Sequence, residues 1–245
     1  MREQPEQQAP PVQRLRVRYA KRGRMRFTSH RDFSRAFERA VVRARVPVAY
    51  SSGYSPHPRI SYAGASPTGA ASEAEYLEIG LASVVEPAEL QRRLDEVMPV
   101  GLDIVDVVES AGGALADLLQ ASRWVIDLPL PPAEVEPVVR AFLAAESVPV
   151  ERMTKRGIRE FDCRAAVLHL SVSPGDGGAR LELTLRHLEP AVRPDDVLTG
   201  LRAVGGLDLG TAPALLTRLA QGPLDEASGQ VGDPLHPATS TGFRA

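Results

Sequence analysis

Residues 13–47 read QRLRVRYAKRGRMRFTSHRDFSRAFERAVVRARVP, and the change of period inside them decides the fold. Leu15, Val17 and Tyr19 alternate with Arg14, Arg16 and Arg18, the two-residue period of a strand with one apolar and one basic face. The KRG at 21–23 turns the chain, and Met25 and Phe27 are expected in a second short extended piece. From Ser29 the period lengthens. Phe33, Ala36, Phe37, Ala40, Val41 and Ala44 make the stripe of an amphipathic helix that Ser29 and Asp32 cap and Pro47 closes. Arg31, Arg35, Arg39 and Arg43 fall at every fourth position, a column away from that stripe.

The same two periods alternate along the rest of the chain. Strands are expected in 46–52, 59–64, 72–82 and 101–110, with a helix at 86–99. After a connector at 111–120 the order repeats: a strand at 122–130, a helix at 131–147, strands within 148–173 and 178–188, and a helix at 193–206. The last strand has no clear pattern, and 211–222 reads as a short terminal helix. The expected fold class is α+β, two tandem ferredoxin-like βαββαβ units at 14–110 and 121–221. Residues 1–13 and 222–245 are polar and turn-rich and are expected to be disordered.

Composition narrows the function classes. No apolar run is long enough to span a membrane, the start has no secretory core, and the only cysteine, Cys163, can form neither an internal disulfide nor a CxxC site. The protein is expected to be cytoplasmic. None of the five histidines shows a metal-ligand spacing, and no phosphate-binding glycine loop occurs, so neither a metal nor a cofactor is expected. The charge is uneven. Between Arg14 and Arg59 thirteen Lys or Arg face only Asp32 and Glu38, although the whole chain has a formal charge of -2. Such a segment either attracts an anionic partner or is a solvated face balanced by acids elsewhere in the fold.

Aromatic residues share that segment. All five tyrosines lie between Tyr19 and Tyr76. Phe33 and Phe37, at helical spacing, are core residues, whereas Tyr50 and Tyr54 flank Gly53 in the turn-rich SSGYSPHPR at 51–59 and are surface candidates. Arginines that hold phosphates beside rings that stack on bases are the chemistry of unpaired RNA. The expected RNA- or anion-binding residues are Lys21, Arg24, Arg31, Arg35, Arg39, Tyr50, Tyr54 and Arg59. His30 opens a helix and His57 sits between two prolines. Either can serve as a general acid or base near a phosphate, or simply as a hydrogen-bond donor. TKRGIREFDCRA at 154–165 is a second basic patch, read as an extension of the groove or an exposed hairpin.

The stretch 20–81 resembles the radical-SAM-linked family, a bacterial domain of unknown function. The resemblance rests on Lys21, Gly23, Phe27, Ser29, His30 and Asp32, then Arg35 and Arg39. It continues through Pro47, Tyr50, Ser51, Gly53, Tyr54, Pro56, His57 and Pro58, with Gly69, Ser72, Glu73 and Glu75 beyond. It covers residues 14–220 and is strongest in the first third. It implies a radical-SAM enzyme as partner rather than an activity of its own, since the chain lacks the CxxxCxxC of such enzymes. A looser architectural likeness is to CRISPR repeat-processing endonucleases. The expected function is RNA binding in RNA processing or modification, with a role as accessory to a radical-SAM enzyme as one form of it. A metal-independent ribonuclease using His30 or His57, and a protein-interaction adaptor without nucleic acid, are the alternatives.

Overall fold

A computed structural model describes residues 7–154 and 157–236. Contacts group the chain through Leu118, with 234–236, into one unit and Leu119–Asp233 into another. The chain is α+β, with four α-helices among the described residues. None is long and apolar enough to cross a membrane.

In the first unit β1 is Gln13–Lys21, α1 His30–Arg43, β2 Ile60–Ala63, β3 Ala71–Leu81, α2 Pro87–Asp95 and β4 Ile104–Glu109. The sheet runs β4-β1-β3-β2 with every neighbour antiparallel. Since β1 and β2 both oppose β3, α1 joins two strands of the same direction with β3 between them. The alternation of β1 sends Leu15, Val17 and Tyr19 into the core, where Leu77, Ile79 and Leu81 of β3 join them. Phe33, Phe37, Ala40 and Val41 of α1 and Leu90 and Leu94 of α2 cover that face. Burying one such large side chain stabilises by roughly 1.5–3 kcal/mol, so this layer holds the unit together.

The cap of α1 forms as its sequence implies. Ser29 Oγ accepts the Asp32 N–H at 3.2 Å while its hydroxyl donates to Asp32 Oδ2 at 2.7 Å. At the other end Arg45 takes the left-handed conformation (φ 52°), and its neighbour Val46 bonds back to the Val41 carbonyl, which stops the helix before Pro47.

The second unit contains β5 Ala121–Leu128, α3 Pro132–Ala144, β6 Pro149–Thr154, β7 Gly157–Asp162, β8 Val167–Gly175, β9 Gly178–Arg186, α4 Pro194–Gly205 and β10 Leu215–Gly222. Its main sheet runs β10-β5-β9-β8, again antiparallel throughout. With β6 and β7 set aside as a separate two-stranded hairpin, this is the strand permutation of the first unit.

Four expectations change. Gly23–Phe27 is a 3-10 turn rather than an extended piece, because Gly23 adopts φ 52° and the Met25 N–H closes on the Arg22 carbonyl. Residues 46–52 form only isolated bridges, Val48 to Leu81 and Tyr50 to Pro58. The segment read as a terminal helix holds β10, which pairs with β5 along its length; tertiary pairing overrides a helix-favouring Leu and Ala content. The tail expected to be disordered carries a small hairpin of β11 (Leu224–Asp225) and β12 (Gln230–Val231). The patch at 154–165 is largely the β7 side of a hairpin, and Lys155 and Arg156 lie outside the described residues, as do 1–6 and 237–245 of the two ends.

Candidate functional site

The packing of α1 fixes what it shows to solvent. With Phe33 and Phe37 held in the core, Arg31, Arg35, Arg39 and Arg43 are all exposed, spaced about 6 Å apart along the axis by four residues of helical rise. None forms an ion pair with the described residues. Arg35, Arg39 and Arg43 line a shallow depression with Glu38 and the exposed Val42. Arg24, on the 3-10 turn, is exposed as well, and beside it Phe27 stands 67% exposed.

Most of the other basic residues of the segment are engaged in structure; Arg45, just past α1, is exposed. Arg16 is buried, and its Nη2 donates to the carbonyls of Gly112 at 2.6 Å and Gly113 at 3.1 Å. Arg14 pairs with Glu78 at 3.0 Å, and Arg22 bridges Glu73 and Asp103. Arg26 Nε donates to the Gly69 carbonyl. Lys21, expected at the surface, is buried at the end of β1. The exposed positive charge of the segment is thus concentrated on the α1 column, Arg24 and Arg45.

The loop from Tyr50 to Arg59 is closed by its own hydrogen bonds. Ser51 donates its N–H to the His57 carbonyl, and Ser51 Oγ accepts the His57 N–H at 3.0 Å. Arg59 Nε donates to the Tyr50 carbonyl at 3.0 Å. Gly53 turns the tip with φ 126°, leaving Tyr54 72% exposed and Tyr50 half-exposed. Against β3 the loop leaves a cleft of about 180 Å³ lined by His57, Arg59, Arg14, Ser51, Ser61 and Glu78. A glycine at position 80 permits this approach, since a Cβ there would lie 3.0 Å from Pro11 and 3.3 Å from Arg59 Cβ.

Burial alone would raise the pKa of Glu78, but hydrogen bonds from Ser110, Arg14 and Arg16 hold it below the usual carboxylate range. The cleft therefore carries an ionised glutamate beside two arginines and a histidine.

The two histidines do not meet. His30 stands edge-on to Tyr62, with ring centroids 5.0 Å apart, and Tyr62 in turn meets Phe33 at 6.0 Å on the helix-covered face of the sheet. Ser61, Glu78 and Arg14 alternate with core residues and so belong to the opposite face. His57 keeps company with Arg59, and His30 with the start of the arginine helix. Arg14, Ser61 and Glu78 were missed as cleft residues; β1–β3–β2 register, which no single strand reveals, brings them together. Among the described residues no three His, Cys, Asp or Glu side chains are grouped to hold a metal.

The family model described as an uncharacterized protein conserved in bacteria (DUF2344) matches residues 14–194, which include α1, the Tyr50–Arg59 loop and most of the second unit. No curated protein matches the chain.

Proposed function

The chain belongs to the DUF2344 family, conserved in bacteria, and from that premise we propose that it is an RNA-binding protein whose α1 arginines hold the phosphates of an unpaired strand. The observation that carries this reading is the exposed column of Arg31, Arg35, Arg39 and Arg43, without an ion pair among the described residues, in a segment where Arg14, Arg16 and Arg22 are paired with acids. Its regular rise matches a partner with regularly repeated negative charge better than it matches the scattered carboxylates of a protein surface. Arg24 extends the positive surface, and Tyr50 and Tyr54 offer rings on which bases stack.

Fluorescence anisotropy with a single-stranded RNA oligomer, titrated with KCl, tests the reading. Each phosphate contact contributes about 0.7 to the slope of log K against log salt. Arg35→Ala with Arg39→Ala should lower that slope by about 1.4. Salt-independent binding, or an unchanged slope in the double variant, sinks it.

Three finer points belong to the same proposal. Each unit is read as a ferredoxin-like fold, supported by the shared permutation β4-β1-β3-β2 and β10-β5-β9-β8. The protein is read as cytoplasmic, acting in RNA processing or modification. Its partner is read as a radical-SAM enzyme, supported by the Lys21–Asp32 and Pro47–Pro58 motifs; Cys163 is buried, so any cluster comes from the partner. Co-purification of a cluster-bearing enzyme that survives ribonuclease treatment tests the partner and separates it from the adaptor reading, in which RNA plays no part.

The cleft at His57 favours one second reading, a metal-independent ribonuclease. There His57 would take the proton of a 2′-hydroxyl, whose oxygen attacks the adjacent phosphate and expels the 5′-oxygen, which takes a proton from water, while Arg14 and Arg59 face the phosphate.

A further inference from the structure

The second unit presents another polar surface, which the RNA reading does not use. On the face of its sheet away from the Leu181, Leu183 and Leu185 core, Arg123 of β5 lies directly opposite Thr184 of β9, which lies directly opposite His169 of β8. Three strands thus align an arginine, a hydroxyl and an imidazole in one row.

The β11–β12 hairpin forms the wall beside that row. A two-fold ion pair fixes it in place, Arg186 Nη1 to Glu226 Oε1 at 2.5 Å and Nη2 to Oε2 at 2.6 Å. The space between holds about 440 Å³, within the size range of small-molecule sites, and Ser228 and Gln230 line its hairpin side.

The charges leave this cleft positive. Both acids of the hairpin are engaged locally: Glu226 by Arg186, and Asp225 by the Ser228 hydroxyl at 2.6 Å and the Ala227 N–H at 3.0 Å. Neither lines the cleft, and the nearest acid on the same sheet face, Glu182, is one row along β9. Arg123 forms no ion pair with the described residues, and the Thr184 hydroxyl has no hydrogen-bond partner among them. His169 Nε2 lies 3.1 Å from Ser171 Oγ, which orients the ring. A guanidinium, a free hydroxyl and an imidazole in a half-enclosed space recognise a compact oxyanion, the guanidinium taking two oxygens at once.

We propose that this cleft binds a phosphate monoester, held by Arg123, Thr184 and His169. The group belongs either to a phosphorylated small molecule or to the phosphorylated end of an RNA, and the test separates the two.

Isothermal titration calorimetry on the full chain uses inorganic phosphate, ribose 5-phosphate, and one short RNA with either a 5′-phosphate or a 5′-hydroxyl. Phosphate and ribose 5-phosphate should bind saturably. Arg123→Ala should weaken both about tenfold or more, and Arg123→Lys should restore part of the loss. Arg35→Ala with Arg39→Ala should leave both unchanged, so failure here and failure of the RNA reading are distinct. Arg123 is exposed, and an unchanged melting temperature verifies that its variants fold. A 5′-phosphate preference of the RNA that vanishes in Arg123→Ala assigns the cleft to an RNA end; equal binding of the two RNAs beside tight ribose 5-phosphate assigns it to a small molecule. No saturable binding of either phosphate at millimolar concentration, or equal affinity in Arg123→Ala and His169→Asn, overturns the proposal.

Discussion

Phe33 lies flat against Tyr19, with ring centroids 3.9 Å apart and planes 5° from parallel. One belongs to the helix and the other to the central strand of the first sheet, so this contact seats α1 on its support. Phe33→Ala removes a wholly buried ring and should destabilise the protein by about 3–5 kcal/mol. Urea denaturation followed by circular dichroism checks it, and a loss below about 1 kcal/mol would refute the role given to the ring.

Acid should weaken the fold through Glu78. Its folded pKa lies below the usual value, so its contribution is complete above the unfolded pKa near 4.5 and is lost as pH falls through the lower folded value. Between pH ~5 and ~3 the urea midpoint should therefore fall, and Glu78→Gln should flatten that part of the profile. Parallel profiles for the two proteins would contradict the hydrogen bonds from Ser110, Arg14 and Arg16 as the cause.

Under the ribonuclease reading, cleavage of RNA in the presence of a chelator should be abolished by His57→Ala and retained in His30→Ala, because the two rings belong to different faces of the sheet. Loss of cleavage in both variants, with binding intact, would argue against the cleft as the reacting centre. Absence of cleavage in the unaltered protein would remove this second reading and leave the binding proposal standing.

Cys163 should be inert while the protein is folded. Burial, with the charges of Asp162 and Asp196 beside it, pushes its thiol up to about 12, and the thiolate is the reactive form. A disulfide reagent at pH ~8 should label it only as fast as the second unit opens. The same pocket rejects a larger residue at position 200: a Cβ on Gly200 would lie 2.6 Å from Cys163 Sγ and 2.9 Å from Phe142 Cε2. Gly200→Ala should destabilise by about 1–3 kcal/mol, the clash outweighing the better helix propensity of alanine, and should speed the labelling.

The first unit was legible because its periods are long and its caps are explicit. Leu15–Tyr19 gave the strand, Ser29 with Asp32 the helix start, and the arginine column the exposed face. Lys21 was misread because its charge suggested exposure, while the end of β1 is buried at Ala20 and Lys21 alike. Residues 211–222 were misread because Leu and Ala suit a helix equally well; only pairing with β5, more than eighty residues earlier in the chain, decides for a strand. The strand-borne residues of the His57 cleft, and the whole cleft at Arg123, were invisible for the same reason. Each is assembled from residues whose adjacency is set by strand register, and a single sequence does not state register.

The seating of α1 has a consequence for recognition. Four guanidiniums mounted on a helix whose opposite side is locked into a core keep a fixed pitch, and their backbones have no freedom left to lose when a partner arrives. The backbone part of the ordering cost is met when the protein folds, and only the side chains are left to order on binding. Under the RNA-binding proposal such an array would act as a ruler, favouring a charged strand whose repeat fits the helix over a polyanion whose charges fall at another interval.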